Sequence, residues 1–446
     1  MTNFKKLWLY SLFVKLFLAA VMPLSLDESY YWTWGHNLQL SYFDHPPFVS
    51  WLFLIAQPFD DFFRAVRWPG VLLGHLTLLV WYNILKDHLT NHRLNWFLLL
   101  ALLAPLTGPG SLIITPDIPL VFFWSFGLLY YKKSLAKPNY VNYSILGAVL
   151  GLGFCSKYHM ALFLPFALTS LAIEKKYTVN LIKKIIVGFV LFLIFSSPVW
   201  IWNYQNDFVS FKFQMNHGLG ASSWHPSWTI RYLLEQLLII FPLIFYVFLR
   251  SKKLPNEISF IKHFAWLGLC FFFLTSFKGS VEANWTIFSA LPILAIVAYS
   301  YEKSIFLKIS ASFWVLIFSL FLVEVHSPIL ANKFPTLKTN EAHKFTQLIH
   351  KIKELDPNLN IYARTYQMSG KLSFELKRNI YKLKGMNRVD YFDFREESLP
   401  SSNKKNFLII EKQEKAPTWL IKKNYKFQFN KKLTEKYSLV EIVKND

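Results

Sequence analysis

For its first three quarters the chain alternates between long apolar runs and short polar ones. Runs apolar enough for membrane helices cover 7–26, 66–85, 94–106, 118–131, 141–154, 158–173, 185–201, 232–249, 263–277, 285–301 and 305–323. A hydrocarbon core of about 30 Å takes roughly 20 apolar residues of helix. The shorter runs meet that requirement by extension, by tilt or by shelter from neighbouring helices. The first run follows Lys5 and Lys6 and has the outline of a secretory signal. No small-x-small cleavage site precedes Asp27, however, and further runs follow, so it reads as the first helix. From Ala331 onward the pattern changes. An amphipathic helical stretch covers 341–355, and short β-rich runs cover 360–364, 406–410 and 438–443. The pattern predicts a polytopic α-helical membrane module over 1–330, with about eleven transmembrane helices. A small α/β domain over 331–446 follows it.

Composition sharpens this picture. Only 17% of the residues are charged and 53% are hydrophobic, whereas soluble proteins carry about 25% charged residues. The net charge of +21 could suggest a nucleic-acid partner. In the first three quarters, however, the Lys and Arg residues fall between the apolar runs, as in a membrane protein that sorts its loops by charge. With the N-terminus in the cytoplasm, 17 of them, among them Lys132, Lys133, Lys176 and Lys303, lie inside. Six lie outside: Arg64, Arg67, Lys157, Lys212, Arg231 and Lys278. An odd number of spans then places the C-terminal domain outside a bacterial cytoplasmic (inner) membrane. The outer loops 27–67 and 203–231 are long and hold Trp32, Trp34, Trp51, Trp224 and Trp228, residues at home in the membrane interface. Polar chemistry is therefore expected on the outer side. Cys155 and Cys270 sit in apolar surroundings without a CxxC neighbourhood, which suits packed thiols rather than a disulfide or a metal site.

The outer loops carry the candidate chemistry. Asp27 and Glu28 sit where the first helix leaves the membrane, followed by Tyr30, Tyr31 and Trp32, and then by Tyr42, Phe43, Asp44, His45, Pro46 and Pro47. Ionisable groups at that depth are costly and face a cavity or the protein interior. Partial desolvation makes a carboxylate a better base; a helix cap or an ion pair is the structural alternative. The two prolines are expected to hold an extended backbone after His45. Three further groups fall on the same side: Thr115-Pro116-Asp117, Ser156-Lys157-Tyr158-His159, and Lys278 through Glu282, Asn284 and Trp285. Lys157 and Lys278 suit a phosphate leaving group, whose developing charge a cation stabilises; snorkelling to lipid headgroups is the alternative. Asp117 could equally cap its helix. His36, His217, His225, Glu235 and Gln236 are weaker candidates. No HExxH, CxxC or DxD-type cluster is present, so a divalent metal, though possible, has no support in the sequence. There is no Walker loop or GxGxxG fingerprint for a nucleotide.

These segments, in this order, resemble bacterial glycosyltransferase family 39, the PMT/ArnT-like group of the GT-C superfamily. The resemblance rests on Asp27–Trp32 with Tyr42–Pro47, on Thr115-Pro116-Asp117, on Gly153 through Tyr158, on Lys278 through Trp285, and on Ala363 through Phe374. It implies a GT-C fold and a sugar donor carried on a polyprenyl phosphate. It also implies inversion at the anomeric carbon, with Asp27 activating the acceptor and Asp44 and Asp117 as further acidic positions. The chain departs from the aminoarabinose-transferring branch at Tyr30, where that branch has arginine, and at His45, where it has lysine. Phosphate binding then falls to Lys157, Lys278 and a protonated His45. The expected partners are a polyprenyl-phosphate-linked sugar, a lipid or glycan acceptor (lipid A, another envelope glycan or protein) and membrane lipids. A transporter or flippase of lipid-linked saccharides is the alternative. It would place charges at mid-membrane and often show inverted repeats, and neither is visible here.

Overall fold

The computed structural model describes residues 3–62, 65–175, 179–220, 223–301, 305–334, 338–401, 404–411 and 414–444. Arg64, Lys176 and Lys303, counted above in the charge asymmetry, lie outside the described residues. In chain order the helices of the apolar part are α1 (Asn3–Val21), α2 (Leu26–Gly35), α3 (Phe48–Ala56), α4 (Trp68–Leu85), α5 (Asn91–Leu103), α6 (Asp117–Ala136), α7 (Tyr140–Phe154), α8 (Phe163–Ile173), α9 (Val179–Phe195), α10 (Ser197–Gln205), α11 (Val209–Leu219), α12 (Pro226–Ile240), α13 (Pro242–Leu249), α14 (Phe260–Thr275), α15 (Ile287–Ser300) and α16 (Ile305–His326). The polar part adds α17 (Ile329–Lys333), α18 (Thr346–Lys353), β1 (Asn360–Tyr362), α19 (Tyr366–Leu376), β2 (Asn406–Glu411), α20 (Thr418–Lys422), β3 (Tyr425–Lys432) and β4 (Tyr437–Lys444).

Two compact units result. The first is Met1–Met22 with Gln39–Leu322; the second is Pro23–Leu38 with Val323–Asp446. The segment that carries Asp27 thus groups with the polar C-terminal part, which a single cut in the chain cannot represent.

Each of the apolar runs is helical in the first unit, but several are interrupted. The run over 185–201 bends by 57° between α9 and α10, where Pro198 enters the first turn of α10. The run over 232–249 bends by 92° between α12 and α13. There Phe241 leaves the helical region, with φ 71° and ψ 133°, ahead of Pro242, a position at which the helical conformation is disfavoured. Among the described residues, Ala65–Leu85, Ala283–Ser300 and Ile305–His326 are each long and apolar enough to cross a membrane, or up to six crossings if each bent pair is one. Phe48–Phe59 is a further apolar helix, inside what the sequence reads as outer loop. Ile309, Phe313 and Leu316 on α16, and Ile186, Val190 and Ile194 on α9, are exposed. Water would not tolerate apolar surface of that extent; lipid would.

Inside the unit, Trp124 of α6 stacks on Phe288 of α15 at 4.1 Å and meets Phe163 edge-on at 5.1 Å. Helices α7 and α9 touch backbone to backbone. A Cβ on Gly147 would lie 1.8 Å from the Gly188 carbonyl, and one on Gly151 would lie 2.6 Å from that of Phe192. Small residues four apart are what permits such close helix packing in lipid.

The second unit is built on a four-stranded sheet of order β1-β2-β4-β3. The pair β1/β2 is parallel; β2/β4 and β4/β3 are antiparallel. One face, with Phe407, Ile409 and Leu439, packs on Leu348 and Ile352 of α18 and on Met368 and Leu372 of α19; Leu26 of α2 joins this cluster. The amphipathic helix expected over 341–355 is a 3-10 turn, Lys338–His343, followed by α18. Strand β3 is an element the sequence reading lacks. Its Tyr425, Phe427 and Phe429 alternate with polar residues, which is a strand signature.

Candidate active site

The first unit brings three of the sequence groups to one point. Asp117 opens α6, with Pro116 at the N-cap, so it is the first helical residue rather than the cap. Its Oδ1 accepts a hydrogen bond from Lys157 Nζ at 2.7 Å, and its Oδ2 accepts one from Asn284 Nδ2 at 2.7 Å. Thr115 Oγ1 accepts from the Asp117 backbone N–H at 3.4 Å. A carboxylate at a helix N-terminus is stabilised by the helix dipole. Asp117 and Lys157 are both buried.

The backbone around these side chains is tightly braced. Lys157 precedes a 3-10 helix, Tyr158–Leu162. Asn284 sits on a second, Ala283–Thr286, which Gln236 of α12 holds with both ends of its amide. Its Nε2 donates to the Ala283 carbonyl at 3.1 Å, and its Oε1 accepts from Thr286 Oγ1 at 2.6 Å. Gln236, a weak candidate in the sequence, is thus the support of the Asn284 turn. Tyr158 hydroxyl meets Ser210 Oγ at 2.8 Å.

Lys157 has donors to spare. An ammonium carries three protons, and among the described residues Asp117 is its one acceptor. The remaining donors of Lys157 are therefore open to a further acceptor. The same unit holds a cavity of about 580 Å³. Tyr158, Met160 and Ala161, which follow Lys157 in the chain, line it together with Leu150, Phe192 and Trp200. Nearly all of its wall is apolar.

The Tyr42–Pro47 segment joins the same unit. Phe43 packs on Phe213 at 4.7 Å, and the Asp44 carbonyl accepts from Gln214 Nε2 at 2.6 Å. Phe48 N–H donates to the Cys155 carbonyl at 2.8 Å, tying this segment to the loop of Lys157. Asp44 is buried and His45 half-buried. His159 lies within electrostatic range of Lys157 and His45, and its ring meets Trp285 at 5.5 Å. Pro47 does not extend the chain as expected. It takes helical dihedrals as the N-cap of α3, in keeping with proline's preference for helix starts.

Other candidates part company with this cluster. Lys278 and Glu282 are exposed; Lys278 has no side-chain partner among the described residues, and Glu282 lies within range of Arg231. Glu235 pairs with Arg231 at 2.6 Å along α12, a surface helix pair. His36 and His225 make local contacts with Trp32 O and Ser227.

In the second unit the Asp27–Trp32 segment is α2, and the Ala363–Phe374 segment supplies the helix that cradles it. Gly370 of α19 is so close that a Cβ there would lie 2.7 Å from the Tyr30 backbone. Lys371 Nζ donates to the Leu24 carbonyl at 3.0 Å. Asp27 is exposed in the first turn of α2. Glu28 is the buried carboxylate of the pair and closes a capping box with Ser25. Its carboxylate helps to start the helix. Tyr30 is 2% exposed, packs on Tyr366 at 4.6 Å and accepts from the Tyr391 N–H at 3.0 Å, so it is part of the core of this unit.

The family model described as dolichyl-phosphate-mannose-protein mannosyltransferase matches residues 44–202. A lipid A galacturonosyltransferase, RgtD, from Rhizobium johnstonii is 22% identical over 291 residues, which span 61% of this chain and 59% of that relative. Among solved structures, ArnT from Cupriavidus metallidurans in the apo state superposes with a TM-score of 0.65 at 13% identity, over 98% of this chain and 97% of that one. The form bound to undecaprenyl phosphate gives 0.63 at 14% identity, with the same coverage.

Proposed function

We propose that this chain, PMT/ArnT-like in sequence and fold, is a membrane glycosyltransferase that moves a sugar from a polyprenyl-phosphate donor to an acceptor of the cell envelope. One observation carries the reading: a buried lysine, bonded to Asp117 alone among the described residues, is followed directly in the chain by residues that line a large apolar cavity. That pairing suits an amphiphile with an anionic head and a hydrocarbon tail. The match to a dolichyl-phosphate-dependent family and the likeness to a protein that binds undecaprenyl phosphate point to the same class of donor. The match to a lipid A galacturonosyltransferase supports an envelope acceptor such as lipid A.

In this reading the acceptor hydroxyl or phosphate attacks the anomeric carbon from the face opposite the phosphate. The bond from that carbon to the phosphate oxygen breaks and its electron pair stays on the polyprenyl phosphate. Asp27 takes the acceptor proton, and the sugar is inverted. Lys157 supplies hydrogen bonds to the phosphate oxygens as their charge grows, an interaction that strengthens toward the transition state. Asp117, held by Asn284, orients that ammonium and is not itself a base. Half-buried His45 adds positive charge at the head of the donor. The catalytic face is extracytoplasmic, with the N-terminus inside.

The test is transfer of a labelled sugar from its polyprenyl phosphate by the purified protein in lipid. Asp27→Asn should abolish transfer while membrane insertion is unchanged; near-normal transfer by that variant contradicts the assignment. Mass spectrometry of envelope lipids and glycans, with and without the gene, identifies the sugar and the acceptor.

A further inference from the structure

The last part of the second unit is unusually basic. From Lys415 to Lys444 the chain carries eight lysines against two acidic residues, Glu435 and Glu441, and Glu441 is already engaged by Lys405 at 3.8 Å. Strand β3 lies at the edge of the sheet, with α20 immediately before it. Lys422, Lys426, Lys431 and Lys432 are all exposed, and among the described residues none has an acidic partner.

Edge lysines by themselves are a common guard against strand addition. That role does not call for exposed apolar side chains among them. Here Ile421 is 58% exposed and Phe429 66% exposed, interleaved with the cations. By its pairing with Val440, Phe429 continues the apolar face of the sheet out to its rim. Lysines alternating with exposed Ile and Phe are the chemistry of a surface that binds an anionic bilayer, with cations at the headgroups and apolar tips below them.

We propose that the edge formed by β3 and α20 docks on the anionic lipid headgroups of the bilayer that holds the chain. Charge complementarity selects this occupant, and covalent continuity makes it available. The apolar helix α16 runs directly into the second unit at Val323, so a bilayer is tethered to this edge at high effective concentration. The contact does not depend on the transferase reaction.

The test uses the full-length protein in nanodiscs. Cys270→Ser removes the exposed thiol, and Gln428→Cys carries a bimane label on β3. Quenching by a lipid with a nitroxide headgroup is compared in discs of phosphatidylcholine and in discs enriched in phosphatidylglycerol. Quenching should be at least about two-fold stronger in the anionic discs, and high salt should relieve it. Replacing Lys422, Lys426, Lys431 and Lys432 with glutamine should abolish the difference while sugar transfer in the same discs persists. Equal quenching of the unaltered lysine edge in the two kinds of disc overturns the proposal. So does quenching that is insensitive to salt.

Discussion

Two buried lysines, one in each unit, make opposite uses of the same chemistry. Lys382 in the second unit donates to the Arg388 carbonyl at 2.8 Å, to Asp390 Oδ2 at 2.7 Å and to Asp393 Oδ2 at 2.6 Å. All three of its protons are used. The carboxylates are completed in turn by backbone N–H groups of Phe392, Gly385 and Asp390. Lys157 in the first unit has Asp117 alone among the described residues. The saturated lysine is a fastening; the proposed function makes the other a receptor. Counting unmet donors, rather than measuring burial, separates the two.

Variants sharpen this contrast. The largest effect is expected at the saturated cluster. Lys382→Met strands the buried carboxylate of Asp390 and the partly buried one of Asp393 and should cost about 3–5 kcal/mol, read as a loss of thermal stability and faster proteolysis of the second unit. Lys157→Met should be milder for folding, since Asp117 keeps Asn284. Sugar transfer should nevertheless fall by about two to three orders of magnitude. The pair Lys157→Met with Asp117→Leu should then regain stability without regaining transfer. If transfer returns with stability, Lys157 is a second fastening.

Smaller effects follow along the supports. Asn284→Ala removes a hydrogen bond to a charged group and should lower transfer by about ten-fold or somewhat more. Gln236→Ala should produce a weaker loss of the same kind, through the turn that carries Asn284, with Gln236→Glu restoring part of it. Arg231→Ala at the exposed pair with Glu235 should change stability by less than about 0.5 kcal/mol, measured by thermal unfolding in detergent.

Much of this was legible in the sequence. Apolar runs located most helices of the first unit, though not α3 or α11, because membrane helices must satisfy their backbone internally and so announce themselves in composition. Asp117, Lys157 and Asn284 were each marked by an ionisable or amide group at the polar end of an apolar run. Two things escaped. The bends at Ser196 and Phe241 occur inside continuous apolar runs, where hydropathy carries no signal and only the neighbouring prolines hint at a break. The grouping of α2 with the C-terminal part depends on contacts more than 300 positions apart, such as that of Tyr30 with Tyr391, and no local pattern encodes them. The capping part of Glu28 was legible too, since Ser25-x-x-Glu28 is a helix-start signature, but the sequence reading took it first as the acidic neighbour of Asp27. Gln236 looked incidental because a bracing amide leaves no motif.

The most direct test of the account is a structure of the protein with a polyprenyl phosphate bound. The phosphate is expected to stand within about 3 Å of Lys157 Nζ, taking the unused donors, with the hydrocarbon chain in the cavity lined by Leu150, Phe192 and Trp200. A phosphate bound elsewhere, with Lys157 still joined to Asp117 alone, would contradict it.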